Sequence, residues 1–410
     1  MSTSPLPALN RRTFIRAIAG SLGVASIMPL IAACGGATPS PGAGSAAPPD
    51  SAPAKPADTK APAQAAAPAP PAAPAMPAEW QQWVEAAKKE GKIVVNTMPG
   101  AGNRNAVLEF EKFLPGVSVE QTGLQLSNQF TPRILQEREG GVFTWDVAII
   151  PIASALAVLR PRGVWDPVKP ILIHPDVLND ANWTEGLAGG WSDDEKMLTY
   201  GFGLNRNRSL WINTEMVKED EIKTVKDLLD PKWKGKMIFA DPRVLGNGFL
   251  PVMLMRNVYG DDIIRPLFKD QEPSLSRDPN QIAEFLVRGR YPIGLGPTEL
   301  VIQEFQEGGL GKSLVGLEIP DLAHTNGNSV FLVNNAPHPN AAKVFINWLL
   351  TKDGQTAWTT NTQTNSRRKD VPPGDPETYP IEGRKYIRVD VEETTRKMIE
   401  AQEVSKQLID

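Results

Sequence analysis

Between Ala37 and Ala75 the chain holds no Val, Ile, Leu, Phe, Trp or Tyr, only Ala, Pro, Gly, Ser and a few polar residues. No hydrophobic core can form there. Its prolines lack the N–H that helices and sheet ladders need, so the tract is expected to sample extended polyproline-like states and act as a semi-rigid tether. At about 3.1 Å per residue it would span on the order of 100 Å when fully extended. Everything that folds must then lie from about Glu79 to Asp410, a length sufficient for two domains with proper cores.

The tract is preceded by Asn10-Arg11-Arg12-Thr13-Phe14-Ile15-Arg16 and an apolar run ending in Ile31-Ala32-Ala33-Cys34. The paired arginines and the small apolar residues after them resemble a twin-arginine signal peptide of bacteria, which exports chains already folded. Cys34 is the single cysteine. It cannot form an internal disulfide, and it sits where the lipobox of bacterial lipoproteins places its acylated residue. Residues 1–33 are therefore expected to be a signal and 34–78 a lipidated linker. Residues 1–33 carry three arginines and no acid, so removing them shifts the formal net charge from −4 to −7. Such a chain is a poor nucleic-acid binder. No later apolar stretch approaches the roughly 18 residues of a membrane span, which leaves the lipid as sole anchor.

Further on, apolar spacing alternates between helix and strand. Trp80, Trp83, Val84 and Ala87 fall at helical spacing, and Gly91 then opens a strand at Lys92–Asn96. A helix around Ala106 to Leu114, a strand at Val117–Gly123, a helix at Phe130–Glu137 and an apolar strand at Trp145–Ile150 follow. The order predicts a parallel α/β sheet covered on both faces. A second unit begins with a strand at Lys236–Pro242 and a helix at Phe249–Tyr259. It continues with a helix at Gln281–Val287, a strand at Tyr291–Gly296 and a helix at Thr298–Phe305. Met197–Gly203 and Ser209–Thr214 are expected to carry the chain between the lobes, and Ser329–Asn334 to return it. The late helices Ala341–Leu350 and Val391–Leu408 are expected on the first lobe.

Two stretches carry a family resemblance. Val225 to Lys236, with Asp230-Pro231-Lys232-Trp233-Lys234-Gly235 at its centre, runs into Ala240-Asp241-Pro242; Asn340 to Leu350 is followed by Gly354-Gln355. Both resemble ABC-importer solute-binding proteins of the iron(III)-binding type, supported by Ala86 to Lys92 and Pro115-Gly116-Val117. The resemblance implies a two-lobed periplasmic-binding-protein type II fold, with lobe 1 at 79–205, lobe 2 at 206–325 and a return to lobe 1 over 326–410. It implies hinge closure around a small solute and delivery to ABC permease subunits, with the protein itself a monomer. Trp233 and the aromatic residues of the late helix read as packing anchors.

In open α/β sheets, ligands collect beyond the carboxyl ends of strands. That rule, with the family resemblance, selects Gly100, Ser127, Asn128, Ile152, Ala153, Asp241, Asn247, Thr298 and Glu299. Tyr200 and Trp211 are added from the crossover, and Arg206 and Arg243 as anion-binding guanidiniums. Iron-binding relatives hold ferric ion largely through tyrosinates, typically an adjacent pair just after the strand equivalent to Tyr291–Gly296. This chain has Gly296-Pro297-Thr298-Glu299 there. An organic anion, a zwitterion or a chelated metal is thus expected, with bare ferric ion the alternative.

Catalysis lacks its participants. Gly311-Lys312-Ser313 would end a phosphate-binding loop only if position 306 were glycine, and it is Gln306. His174, His324 and His338 have no zinc-site spacing, and no G-x-S-x-G elbow occurs. No enzyme activity, cofactor or protein-held metal is expected. A ligand-sensing module for a membrane receptor is the competing reading from another class.

Overall fold

The computed structural model describes residues 75–409 apart from Leu245 and Gly246. Residues 1–33, Cys34 and the proline-rich tract lie outside that range. Helix α1 (Ala78–Glu90) buries Trp80, Trp83 and Ala87 and ends at Gly91, whose φ of 67° lets its N–H reach Ala87 O. Then come β1 (Lys92–Thr97), α2 (Ala101–Phe113), β2 (Ser118–Gly123), α3 (Thr131–Glu139), β3 (Val147–Ile150) and the short α4 (Ile152–Ser154). Next are β4 (Trp165–Asp166), α5 (Pro175–Leu178), β5 (Thr199–Gly201) and β6 (Asn205–Asn207).

The second lobe comprises β7 (Leu210–Asn213), β8 (Met237–Ala240), α6 (Phe249–Tyr259), β9 (Ser274–Ser276), α7 (Pro279–Val287), β10 (Ile293–Leu295), α8 (Glu299–Glu307) and β11 (Leu314–Leu317). The chain returns through β12 (His324–Asn326), β13 (Ser329–Val333), α9 (Pro339–Leu350) and α10 (Lys352–Thr362). It closes with β14 (Ile387–Arg388) and α11 (Glu392–Leu408).

In the first lobe the strands run β2-β1-β3-β13-β4, with β5 also paired to β13. β1, β2 and β3 are parallel, and β13 is antiparallel to its neighbours. The unbroken apolar run of β3 now has a cause. Val147 and Ile149 pack into the core with Trp80, Phe110, Phe345 and Trp348, while Ala148 and Ile150 face Phe130, Trp145 and Phe331 on the other side. The second lobe repeats the device in the order β11-β7-β10-β8-β9: Met237 and Phe239 pack to one face and Ile238 to the other. Trp233 is buried in that lobe's core.

Three connections differ from expectation: within Met197–Gly203, Thr199–Gly201 pairs with β13 in the first lobe's sheet. Leu210–Asn213 is an inner strand of the second lobe, and Ser329–Val333 an inner strand of the first. The crossing is made by β6 and β12, which pair antiparallel in a small sheet completed by β14. The last helix also goes elsewhere. α9 packs on α1, but α11 packs on α6 of the second lobe, where Met398, Ala401 and Ile409 join the core. Its first turn stays tied to the first lobe, since Glu392 accepts both Arg160 Nη1 contacts at 2.9 Å and Arg396 pairs with Asp194 at 2.7 Å. The C-terminal arm therefore makes a third passage across the hinge.

Candidate functional site

Where the hinge strands meet the two lobes lies a cavity of about 450 Å³. Asn205, Asn326, Gly327 and Asn328 line it from the hinge, and Pro151, Ile152 and Ala153 from the end of β3. Asn247, Phe249 and Leu250 line it from the start of α6, joined by Thr364 and by Val389, Asp390 and Met398 of the arm. Among the described residues, the carboxamides of Asn326 and Asn328 have no hydrogen-bond partner. Asn205 uses its Oδ1 to accept Asn365 N–H at 2.9 Å.

Asn247 also lines a smaller chamber of about 180 Å³ at the carboxyl ends of β8, β9 and β10. Asp241, Ser276, Arg277, Gly296 and Thr298 surround it, and α6, α7 and α8 begin there. Helix starts offer backbone N–H groups and a positive dipole end. Asn247 donates from Nδ2 to Thr298 Oγ1 at 2.8 Å. Asp241, 5 % exposed, accepts Arg243 Nε at 2.9 Å and Arg277 Nε at 3.0 Å. Both guanidiniums thus bear on one nearly buried carboxylate at this end of the cleft.

Burial works against the charge of Asp241, but hydrogen bonds from Arg243 and Arg277 outweigh it and hold the carboxyl below its ordinary 3.8. A depressed carboxylate contributes stability above its unfolded value and loses it as pH falls through the folded one. The stability gap between the protein and Asp241→Asn should thus be present at pH 7 and shrink on acidification below about 3.8. Urea unfolding at a series of pH values checks this; a gap unchanged at low pH would mean the arginines do not act through the charge.

Of the residues selected from sequence, Ile152, Ala153, Asn247, Asp241 and Thr298 line one or both cavities. Arg243 is bonded to Asp241 behind the smaller one. Ser127 lies in the helical turn Leu126–Phe130, beside the exposed Asn128, and Gly100 is an exposed residue preceding α2; neither Gly100 nor Asn128 lines either cavity. Tyr200 does not reach the cleft. It is fully buried between Trp183 and Trp191 at ring distances of 5.2 and 5.3 Å, and burial pushes its phenol far up. Trp211 packs with Ile282, Leu286 and Ile302 in the second lobe.

Arg206 is committed to Glu318 and to Tyr379 O at 3.0 Å, and Arg208 to Glu299 Oε1 at 3.2 Å. Burial raises the Glu299 carboxyl despite that arginine. The histidines are structural: His174 Nδ1 accepts Asp176 N–H, His324 Nδ1 meets Leu322 O and His338 Nδ1 meets Asp146. The sequence reading missed Asn205, Asn326, Asn328, Phe249, Leu250, Thr364 and the whole arm. Only the turn-like Asn326-Gly327-Asn328 offered a local signal.

A family model described as "Bacterial extracellular solute-binding protein" matches residues 105–380. An uncharacterized protein of Haemophilus influenzae is 27% identical over 165 residues, 38% of this chain and 45% of that protein, so the match spans less than half of its length. Among solved structures, iron-bound HitA from Pseudomonas aeruginosa superposes with a TM-score of 0.58 at 17% identity, covering 77% of this chain and 99% of HitA. Trichodesmium IdiA (FutA), in complex with iron and citrate, gives 0.61 at 16% identity, with 78% and 99% covered. A substrate-binding protein of an ABC transporter from Agrobacterium tumefaciens gives 0.56 at 16% identity, with 78% and 94% covered. These likenesses establish the two-lobed fold.

Proposed function

The chain belongs to the bacterial extracellular solute-binding proteins, and from that membership we propose that it captures a small organic anion, zwitterion or metal chelate and delivers it to an ABC permease. The observation carrying this reading is the cleft itself: walls from both lobes, free carboxamides at the hinge, and a chamber at one end where three helices begin beside Arg277. Such a set matches a polar organic solute with an anionic group.

It suits bare Fe³⁺ poorly. A hard cation asks for several anionic oxygens, and none of the tyrosines lines either cavity. Tyr259 is bonded to Asp321 and Tyr386 to Glu318. Among the described residues no group of three His, Cys, Asp or Glu is placed to hold a metal. A chelate would bring its own oxygens, and the iron and citrate in the Trichodesmium relative give that version a precedent.

A thermal-shift screen of the full chain against ferric ion, iron–citrate, carboxylates and zwitterions tests the reading. A solute at 100 times its Kd should stabilise by about 2.7 kcal/mol. Stabilisation by ferric ion alone, with a visible tyrosinate charge-transfer band, would overturn it. Export by the twin-arginine route and anchoring through Cys34 belong to the same proposal. They would let a folded receptor remain near its permease, and mass spectrometry of the native N-terminus checks them. A free thiol at Cys34 would rule out the anchor.

A further inference from the structure

The C-terminal arm is held by different lobes on either side of one helical turn. Before that turn it belongs to the first lobe: Arg388 donates to Gly190 O at 3.1 Å and to Trp191 O at 3.3 Å, and Glu392 N–H donates to Ser192 O at 2.8 Å. The Glu392 carboxylate accepts Arg160 Nη1 at 2.9 Å and Asp194 N–H at 3.0 Å, and Arg396 reaches Asp194 at 2.7 Å. Arg160 pairs in turn with Glu195 at 3.1 Å. From Met398 onward the helix belongs to the second lobe, where Met398, Ala401 and Ile409 lie in the core and Gln402 donates to Arg243 O at 3.2 Å. We propose that the ionic turn, made of Arg160, Asp194, Glu392 and Arg396, is a latch that sets the angle between the lobes.

An α-helix does not kink without a break in its ladder, so a rotation of one lobe against the other must release one of the two attachments of α11. Magnitude decides which. The second-lobe attachment buries apolar side chains, with Met398 7% exposed and Ala401 fully buried, and opening it returns that area to water. The latch stands partly in water already: Arg396 and Asp194 keep 52% and 51% of their side-chain surface, Arg160 and Glu392 28% and 20%. Exposed pairs lose little on rehydration, so the latch yields first and α11 travels with the second lobe. Residues 389–391, between β14 and α11, are neither strand nor helix and take up the turn. Val389 and Asp390 line the larger cavity, as do Met398 beyond the latch and Ile152 and Ala153 of α4, which packs against α11. A solute there touches the arm on both sides of the latch, which links occupancy to lobe angle; this link rests on the cleft being the solute site.

Spin labels at Asn105→Cys in α2 and Lys269→Cys in the second lobe, both exposed positions, report the interlobe distance in the full chain carrying Cys34→Ser. Double electron–electron resonance should find one narrow distribution in the labelled parent at low salt. Glu392→Gln and Arg396→Gln should each broaden it or shift its centre. Raising salt to about 1 M should do the same to the parent, since the Debye length falls to about 3 Å. Glu393→Gln, which removes the exposed pair with Lys397 on the same helix, should leave the distribution unchanged. An unaltered distribution in Glu392→Gln and Arg396→Gln, or an equal change in Glu393→Gln, would overturn the latch. If neither latch variant folds, a parent distribution insensitive to salt overturns it instead. With a solute found by thermal shift, Glu392→Gln should change its Kd by about threefold or more. A Kd unchanged while the distances move would break the link to the solute and keep the latch. If no compound binds at all, the solute reading falls and the distances still decide the latch.

Discussion

Replacing Arg368 with methionine should destabilise the protein by about 3 kcal/mol and reduce the order of the segment after α10. Arg368 is fully buried. Its guanidinium bonds Asp176 Oδ1 and Asp370 Oδ2, both at 2.9 Å, donates to Leu350 O at 3.1 Å and lies 5.3 Å from the centre of the Trp183 ring. Removing one partner of a buried ionic network generally costs 3–5 kcal/mol because the remaining charges are stranded. Here the lower end applies: Asp176 and Asp370 each keep 34% of their side-chain surface in water and can rehydrate. Methionine fills the volume, so the loss measured is that of charge and hydrogen bonds. Urea unfolding followed by circular dichroism reads it; a loss under 1 kcal/mol would show the network to be nearly neutral in stability. The consequence reaches the cleft, because residues 364–368 run beside the first crossover, with Arg367 N–H on Phe202 O and Leu204 N–H on Asn365 O.

The lobes were legible because their cause is local. Alternate residues of β3 and β8 face opposite layers, so apolar runs between helical patterns announce covered parallel strands without knowledge of their neighbours. Strand ends followed by small polar residues likewise pointed to Ile152, Ala153, Asn247 and Thr298. The arginines were not legible. Arg206 meets Glu318 across 112 positions and Arg208 meets Glu299 across 91, and no sequence pattern tells that a guanidinium is already taken. Tyr200 and Trp211 failed for a related reason: a strand near a crossover can present its aromatic residues to a core as readily as to a cleft. Val391–Leu408 was expected as a helix on the first lobe; the helix is there, with Met398 and Ala401 buried against the second lobe, and local sequence does not say which core a helix meets. That one ambiguity hid the arm, and with it the cavity wall formed by Val389, Asp390 and Met398.

Gly327→Ala should open the hinge sheet, lowering stability by roughly 1–3 kcal/mol and solute affinity by about tenfold or more. A Cβ at Gly327 would lie 2.2 Å from Gly203 O and 2.4 Å from Gly203 C, and one at Gly203 would lie 2.7 Å from Asn328 N. These are backbone atoms, so no side-chain rotation relieves the clash. The two crossings touch at a pair of glycines, and either methyl group must push β6 and β12 apart. Asn326 and Asn328 flank Gly327 and present the unpaired carboxamides of the cavity, so a displacement of even 1 Å moves donors and acceptors together out of register with a bound solute. A variant changed only in packing would lose stability and bind as before. Both losses together, read from unfolding and from calorimetry with whichever zwitterion or chelate stabilises the parent protein, are expected if the hinge sets the geometry of the site. An affinity unaltered in Gly327→Ala would place the solute away from the crossings, against the lobe faces alone.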